Sequence, residues 1–98
     1  MRAVNQMLNK RVHVYYEGLV QGIGFRFTAE RRAISLGLKG WVKNLDDGRV
    51  EVLCEGEEQN IKVFLEKMIS TFKAYIRDID LEWADATGEY EGFDIRLD

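Results

Sequence analysis

Residues 11–37 read RVHVYYEGLVQGIGFRFTAERRAISLG, and within this stretch the apolar period changes once. In its first part Val12, Val14 and Tyr16 alternate with Arg11, His13 and Tyr15, the pattern of a half-buried strand. In its last part Phe25, Ala29, Ala33 and Leu36 recur at helical spacing, and Gly37 can end the helix in a left-handed conformation without steric cost. Between them lie Gly18, Leu19, Val20, Gln21, Gly22, Ile23, Gly24, Phe25 and Arg26. The order is strand, glycine loop, helix. Phe27 and Ile34 fall off the helical stripe, and the pattern assigns them no role.

Downstream, residues 41–45 and 49–55 are extended runs separated by Asp46, Asp47 and Gly48, and Asp-Gly between such runs predicts an antiparallel hairpin. From Glu58 to Phe72 the apolar residues Ile61, Phe64, Leu65, Met68, Ile69 and Phe72 keep one face of an amphipathic helix. Ile79, Leu81 and Trp83 then alternate with Asp78, Asp80 and Glu82, and Phe93, Ile95 and Leu97 with Asp94, Arg96 and Asp98, which predicts two further strands. The elements run β-α-β-β-α-β with a short C-terminal strand added. This is the α+β, ferredoxin-like split β-α-β plan, an antiparallel sheet with two helices on one face. Upstream, residues 1–9 read as a polar leader expected to fray. With no proline, repeat or Gly/Ser-rich stretch to mark a linker, residues 1–98 are expected to form a single domain.

Composition narrows the function classes. A chain that is 46% hydrophobic can bury one core at this length without metal or disulfide staples. Cys54 is the single cysteine, so it can neither close an intramolecular disulfide nor start a zinc site, which suits a reducing compartment. The sequence has no signal-peptide core and no run near the ~18 apolar residues of a membrane span, so a cytoplasmic location without membrane partners is expected. A net charge of −3 and a pI near 5.2 argue against a general nucleic-acid binder. The same element order serves single-strand RNA binding through exposed sheet aromatics, but residues 49–55 contain no aromatic and no basic cluster.

Most familiar catalytic groupings are missing. His13 is the only histidine; it has no second imidazole for a metal site and reads as a solvated strand position. Cys54 shares a face with Val50 and Val52 and reads as a buried small hydrophobe. The glycine loop is different, because it delivers a helix start whose unpaired N–H groups and positive dipole end can receive an anion. Arg26 adds a guanidinium fork suited to phosphate oxygens. No Gly-Lys-Ser/Thr follows, so this is no Walker A loop, and Gly22-Ile23-Gly24 lacks the third glycine of a dinucleotide fingerprint. On spacing alone a phosphate-sized site and a tight turn beside a surface arginine fit equally well. Asn44 precedes the hairpin turn on the strand register of Val42; taken alone it reads as local backbone hydrogen bonding, and its interest comes from being paired with the loop.

The two segments together resemble the acylphosphatase family. That family's first motif is glycine, any residue, valine, glutamine, glycine, valine, any residue, phenylalanine or methionine, arginine. Here Gly18, Val20, Gln21, Gly22, Phe25 and Arg26 match it, with Ile23 for the usual valine and Tyr16 ahead of it where an aliphatic is commoner. The second motif is matched by Gly40, Trp41, Val42, Lys43 and Asn44, then Gly48, Val50 and Gly56, and the similarity runs from about Val12 to Ile95. The resemblance implies hydrolysis of the carboxyl–phosphate bond of small acyl phosphates with no metal or cofactor. By matching position, Arg26 is the phosphate-binding catalytic arginine, Asn44 positions the attacking water, and the loop from Gly18 to Arg26 supplies backbone donors. Acyl phosphate and inorganic phosphate are then the expected partners, and a monomer the expected state. The alternative keeps the fold without the chemistry: an anion-binding or protein-interaction module, like acylphosphatase-like domains within larger carbamoyl-phosphate-handling maturation proteins. A length of 98 residues speaks against that alternative.

Overall fold

The computed structural model describes residues 9–97. The leader expected at residues 1–9 lies outside them except for Asn9, which opens the first strand rather than preceding it. In chain order the elements are β1 (Asn9–Gly18), α1 (Phe25–Ser35), β2 (Lys39–Asn44), β3 (Val50–Glu57), α2 (Glu58–Thr71), β4 (Ile76–Asp85) and β5 (Phe93–Arg96). The sheet order is β4-β1-β3-β2-β5. The first four strands in that order pair antiparallel, as the ferredoxin-like plan requires, but β5 runs parallel to β2, so the sheet is mixed. The stretch between β4 and β5 carries the chain back to the far edge, and a strand entering there aligns with β2. β5 ends at Arg96, leaving Leu97 exposed rather than alternating inward.

The core lies where both helices cover one face of the sheet. Val12, Val14 and Tyr16 of β1 and Val50, Val52 and Cys54 of β3 are fully buried beneath Phe25, Ala29 and Ala33 of α1 and Ile61, Phe64 and Met68 of α2. Side chains of this size contribute roughly 1.5–3 kcal/mol each when removed from water. Ile79, Leu81 and Trp83 point to the same face through their pairing with Tyr16, Val14 and Val12, yet Leu81 and Trp83 stay exposed because β4 is an edge strand beyond the helices.

The opposite face is not bare. Loop 86–92 folds over it, and β3, at the centre of the sheet, is buried on both sides, Glu51 and Glu55 included. His13 is therefore not simply solvated: its Nε2 lies 2.6 Å from Glu51 Oε2, across the β1–β3 ladder. Glu55 accepts from Arg11 Nε at 2.8 Å, from the Thr87 N–H and hydroxyl at 2.9 Å each, and from the Gly88 N–H at 3.0 Å. Burial opposes ionisation of Glu55, but these donors outweigh it and hold the carboxyl below its ordinary pKa.

Candidate active site

Two chain reversals meet at one end of the sheet. At the end of β1, Gly18 lies so close to the backbone ahead of β4 that a Cβ there would come within 2.3 Å of Tyr75 O, which restricts the position to glycine. The Leu19 N–H then donates to that same carbonyl at 2.9 Å. The loop thus leaves the sheet from a pinned base. It ends at Gly24, the N-cap of α1, whose φ of 82° is left-handed and brings no capping side chain.

With that cap, the first intrahelical bond runs from Thr28 N–H to Gly24 O at 3.0 Å. The N–H groups of Phe25, Arg26 and Phe27 precede it and have no acceptor within the helix. No acidic residue stands in this first turn to take them up, so the positive end of the helix dipole is left open.

The second reversal is the β2–β3 hairpin. It closes through Leu45 N–H to Arg49 O at 2.8 Å and Gly48 N–H to Leu45 O at 3.1 Å, with Asp47 accepting from the Arg49 N–H, and so holds Asn44 at the end of β2. Gln21 ties the two reversals together. Its side-chain Nε2 donates to Leu45 O at 2.8 Å and to Arg49 O at 2.9 Å, spanning loop and hairpin.

Between them opens a cavity of about 230 Å³. Gly22, Gly24, Arg26 and Asn44 line it on its polar side, and Val20, Phe25 and Phe27 complete the wall. Asn44 Oδ1 is buried and has no hydrogen-bond partner among the described residues. Such an acceptor ordinarily costs about 1–3 kcal/mol unless a ligand or water completes it. Among the described residues Arg26 is in no ion pair, although six such pairs are formed elsewhere.

Of the residues singled out in the sequence, Val20, Gly22, Gly24, Phe25, Arg26 and Asn44 are brought together at this cavity. Gly18 and Leu19 stay at the base of the loop, with the Leu19 N–H committed to Tyr75. Ile23 packs against the core, and Gln21 works through its side chain rather than as a backbone donor facing the cavity. Sequence reasoning missed that bridge, and also the place of Phe27 in the wall, where an apolar residue off the helical stripe was the available signal. Cys54 is fully buried, and burial pushes its thiol up to about 12, so it is no nucleophile. No cluster of three or more His, Cys, Asp or Glu among the described residues is placed to hold a metal ion.

Residues 12–95 match the Acylphosphatase family model. The chain is 38% identical over 91 residues to an acylphosphatase of Haloarcula marismortui, covering 92% of this chain and 99% of that protein. It is 41% identical over 90 residues to an acylphosphatase of Roseiflexus sp. (strain RS-1), covering 87% and 92%. Among solved structures, an acylphosphatase from Bacillus subtilis superposes with a TM-score of 0.81 at 33% identity, covering 89% of this chain and 98% of that one.

Proposed function

The chain belongs to the acylphosphatase family and is an enzyme of that kind, and from this premise we propose how its residues divide the hydrolysis of small acyl phosphates. The phosphoryl group sits at the start of α1. Backbone N–H groups between Gly22 and Phe27 and the Arg26 guanidinium hold its oxygens, while Asn44 orients a water for in-line attack on phosphorus. The observation that supports this most is the convergence on one cavity of Arg26, Asn44 and a helix start with no acid of its own.

Chemically the site needs little else. As the water oxygen bonds to phosphorus, the bond to the acyl oxygen breaks and the acyl group leaves as a carboxylate. Its conjugate acid has a pKa of about 4, so at neutral pH no general acid has to protonate it. The water's proton passes to an oxygen of the phosphate itself, which makes no demand on a protein base. Catalysis then rests on positioning and on stabilising charge at the equatorial oxygens, the two contributions that preorganised donors supply. Metal independence follows from this division of labour.

The test is hydrolysis of benzoyl phosphate, followed by ultraviolet absorbance in EDTA, by the wild type and Arg26→Gln. Fast turnover that falls at least ~10²–10³-fold in the variant is expected. Wild-type protein that is folded, binds inorganic phosphate and turns nothing over would leave an anion-binding module instead. Asn44→Ala is expected to lower kcat about 10²-fold with little change in inhibition by phosphate, since water orientation matters in the transition state more than in the ground state. Tenfold weaker phosphate inhibition at unchanged kcat would contradict that role.

A further inference from the structure

Given the water-orienting role proposed above for Asn44, on which this rests, we infer that the stack of the Arg49 guanidinium on the Tyr15 ring is a positioning clamp. It grips the β2–β3 hairpin from the sheet face opposite the helices and so fixes where Asn44 stands relative to Arg26.

Side-chain period separates the clamp from the site. Asn44 follows the register of Val42, which is fully buried on the helix-covered face. Tyr15 lies between the buried Val14 and Tyr16 and therefore points to the other face. The β1–β3 ladder ends at the pair Tyr16 and Val50, so the turn and Arg49 project beyond it. From there the Arg49 side chain reaches back diagonally, and its guanidinium carbon lies 4.6 Å from the centre of the Tyr15 ring. Its Nε also donates to Asp47 Oδ2 at 2.8 Å, which ties the same guanidinium to the turn.

The backbone of Arg49 carries the grip into the site. Arg49 O accepts from the N–H of Leu45, the residue after Asn44, at 2.8 Å, and from Gln21 Nε2 of the glycine loop at 2.9 Å. Val50, the next residue, pairs with Asn44 across the hairpin. Hairpin and loop are thus bonded to each other at Arg49, and the stack fastens that junction to β1, which is held between β3 and β4. A cation–π contact at a half-exposed position contributes little to global stability, whereas a displacement of about 1 Å among reacting groups costs on the order of 10² in rate. Loss of the clamp is therefore read in kcat, with Tm lowered by only a few degrees.

The experiment measures kcat and KM for benzoyl phosphate, and inhibition by inorganic phosphate, in the wild type, Arg49→Ala, Tyr15→Phe, Tyr15→Leu and Asn44→Ala. Arg49→Ala is also made in the Asn44→Ala background, and every protein is assayed at a temperature where circular dichroism shows it folded. Arg49→Ala is expected to lower kcat about tenfold while KM and phosphate inhibition stay within about twofold. Tyr15→Leu should do the same although it leaves the Arg49 charge in place, and Tyr15→Phe, which keeps the ring face, should retain kcat. In the Asn44→Ala background Arg49→Ala should change kcat less than about twofold, because the residue it positions is gone. Wild-type kcat in Arg49→Ala would overturn the inference, and so would a full tenfold loss persisting without Asn44. Phosphate inhibition weakened in step with kcat would also overturn it, since the stack would then be supporting the anion site. If Asn44→Ala lowers kcat and Arg49→Ala does not, the clamp alone fails. Wild-type kcat in Asn44→Ala, or a folded wild type without turnover, would overturn the reading beneath it and the clamp together.

Discussion

The two ends of the sheet each carry a helix start, and they treat it in opposite ways. At the end where β3 passes into α2, the chain supplies its own anions: Glu57 is the N-cap, Glu58 stands in the first turn, and Glu55 nearby is surrounded by donors from Arg11, Thr87 and Gly88. At the other end α1 starts from a glycine with no acid in its first turn, and among the described residues Arg26 has no ion-pair partner and Asn44 Oδ1 no donor. The first arrangement places the chain's own acids at the helix start and pairs Glu55 with donors from within the fold. The second withholds the chain's carboxylates from a set of donors, and in the proposed mechanism the missing charge comes from the substrate phosphate. The proposed anion site thus rests as much on the acids that are absent from the first turn of α1 as on the arginine that is present.

The contrast breaks or sharpens under substitution. The largest effect is expected for Arg26→Ala, with turnover down at least ~10²–10³-fold while the unfolding free energy moves by less than about 0.5 kcal/mol. Denaturant titration beside the rate assay checks this, and a stability loss of similar size would erase the distinction between the two ends. Glu55→Gln should do the reverse, costing roughly 2–3 kcal/mol of stability, or about 10 °C in Tm, while the folded variant keeps its turnover. The pH dependence has a definite sign. Because the folded pKa of Glu55 lies below its ordinary value, its contribution is complete above the usual carboxylate range and is lost as pH falls through the folded pKa. Acid titration of unfolding should therefore show a shallower low-pH limb in Glu55→Gln than in the wild type.

Smaller effects concern the parts that hold the open end together. Gln21→Ala removes both bonds between loop and hairpin and is expected to lower kcat about tenfold at a temperature where the variant is fully folded. Rates equal to the wild type would mean that the loop holds its place relative to Asn44 without the bridge. Tyr16→Phe is expected to raise stability by about 1 kcal/mol. The Tyr16 hydroxyl is buried in the core without a partner among the described residues, its pKa raised by burial, and Tyr16 does not line the candidate cavity. A destabilised Tyr16→Phe in thermal unfolding would show that the hydroxyl has a partner in solution. The pair Asn44 and Tyr16 makes the comparison sharper: an unpaired polar atom suggests a ligand at a cavity and only a cost in the core.

Much of this was legible in the residues. The alternation of Val12, Val14 and Tyr16, the helical recurrence of Phe25, Ala29 and Ala33, and the Asp-Gly turn each report burial within a few residues of chain, and each element appears close to where its pattern places it. Arg26 and Asn44 stood out because two motifs occurred in order. Their meeting at one cavity was not readable from periodicity, nor was the bridge from Gln21 to Leu45, 24 residues away. The same holds for the parallel docking of β5 on β2 and for the commitment of the Leu19 N–H to Tyr75. By itself the sequence determined which segments are strands and helices and which face of each is apolar, since those follow from side-chain period and local backbone freedom. Only the tertiary structure decided which donors remain unpaired and which side chains share a cavity, because hydrogen bonds between distant segments depend on how strands pair across the sheet, and no local pattern carries that information.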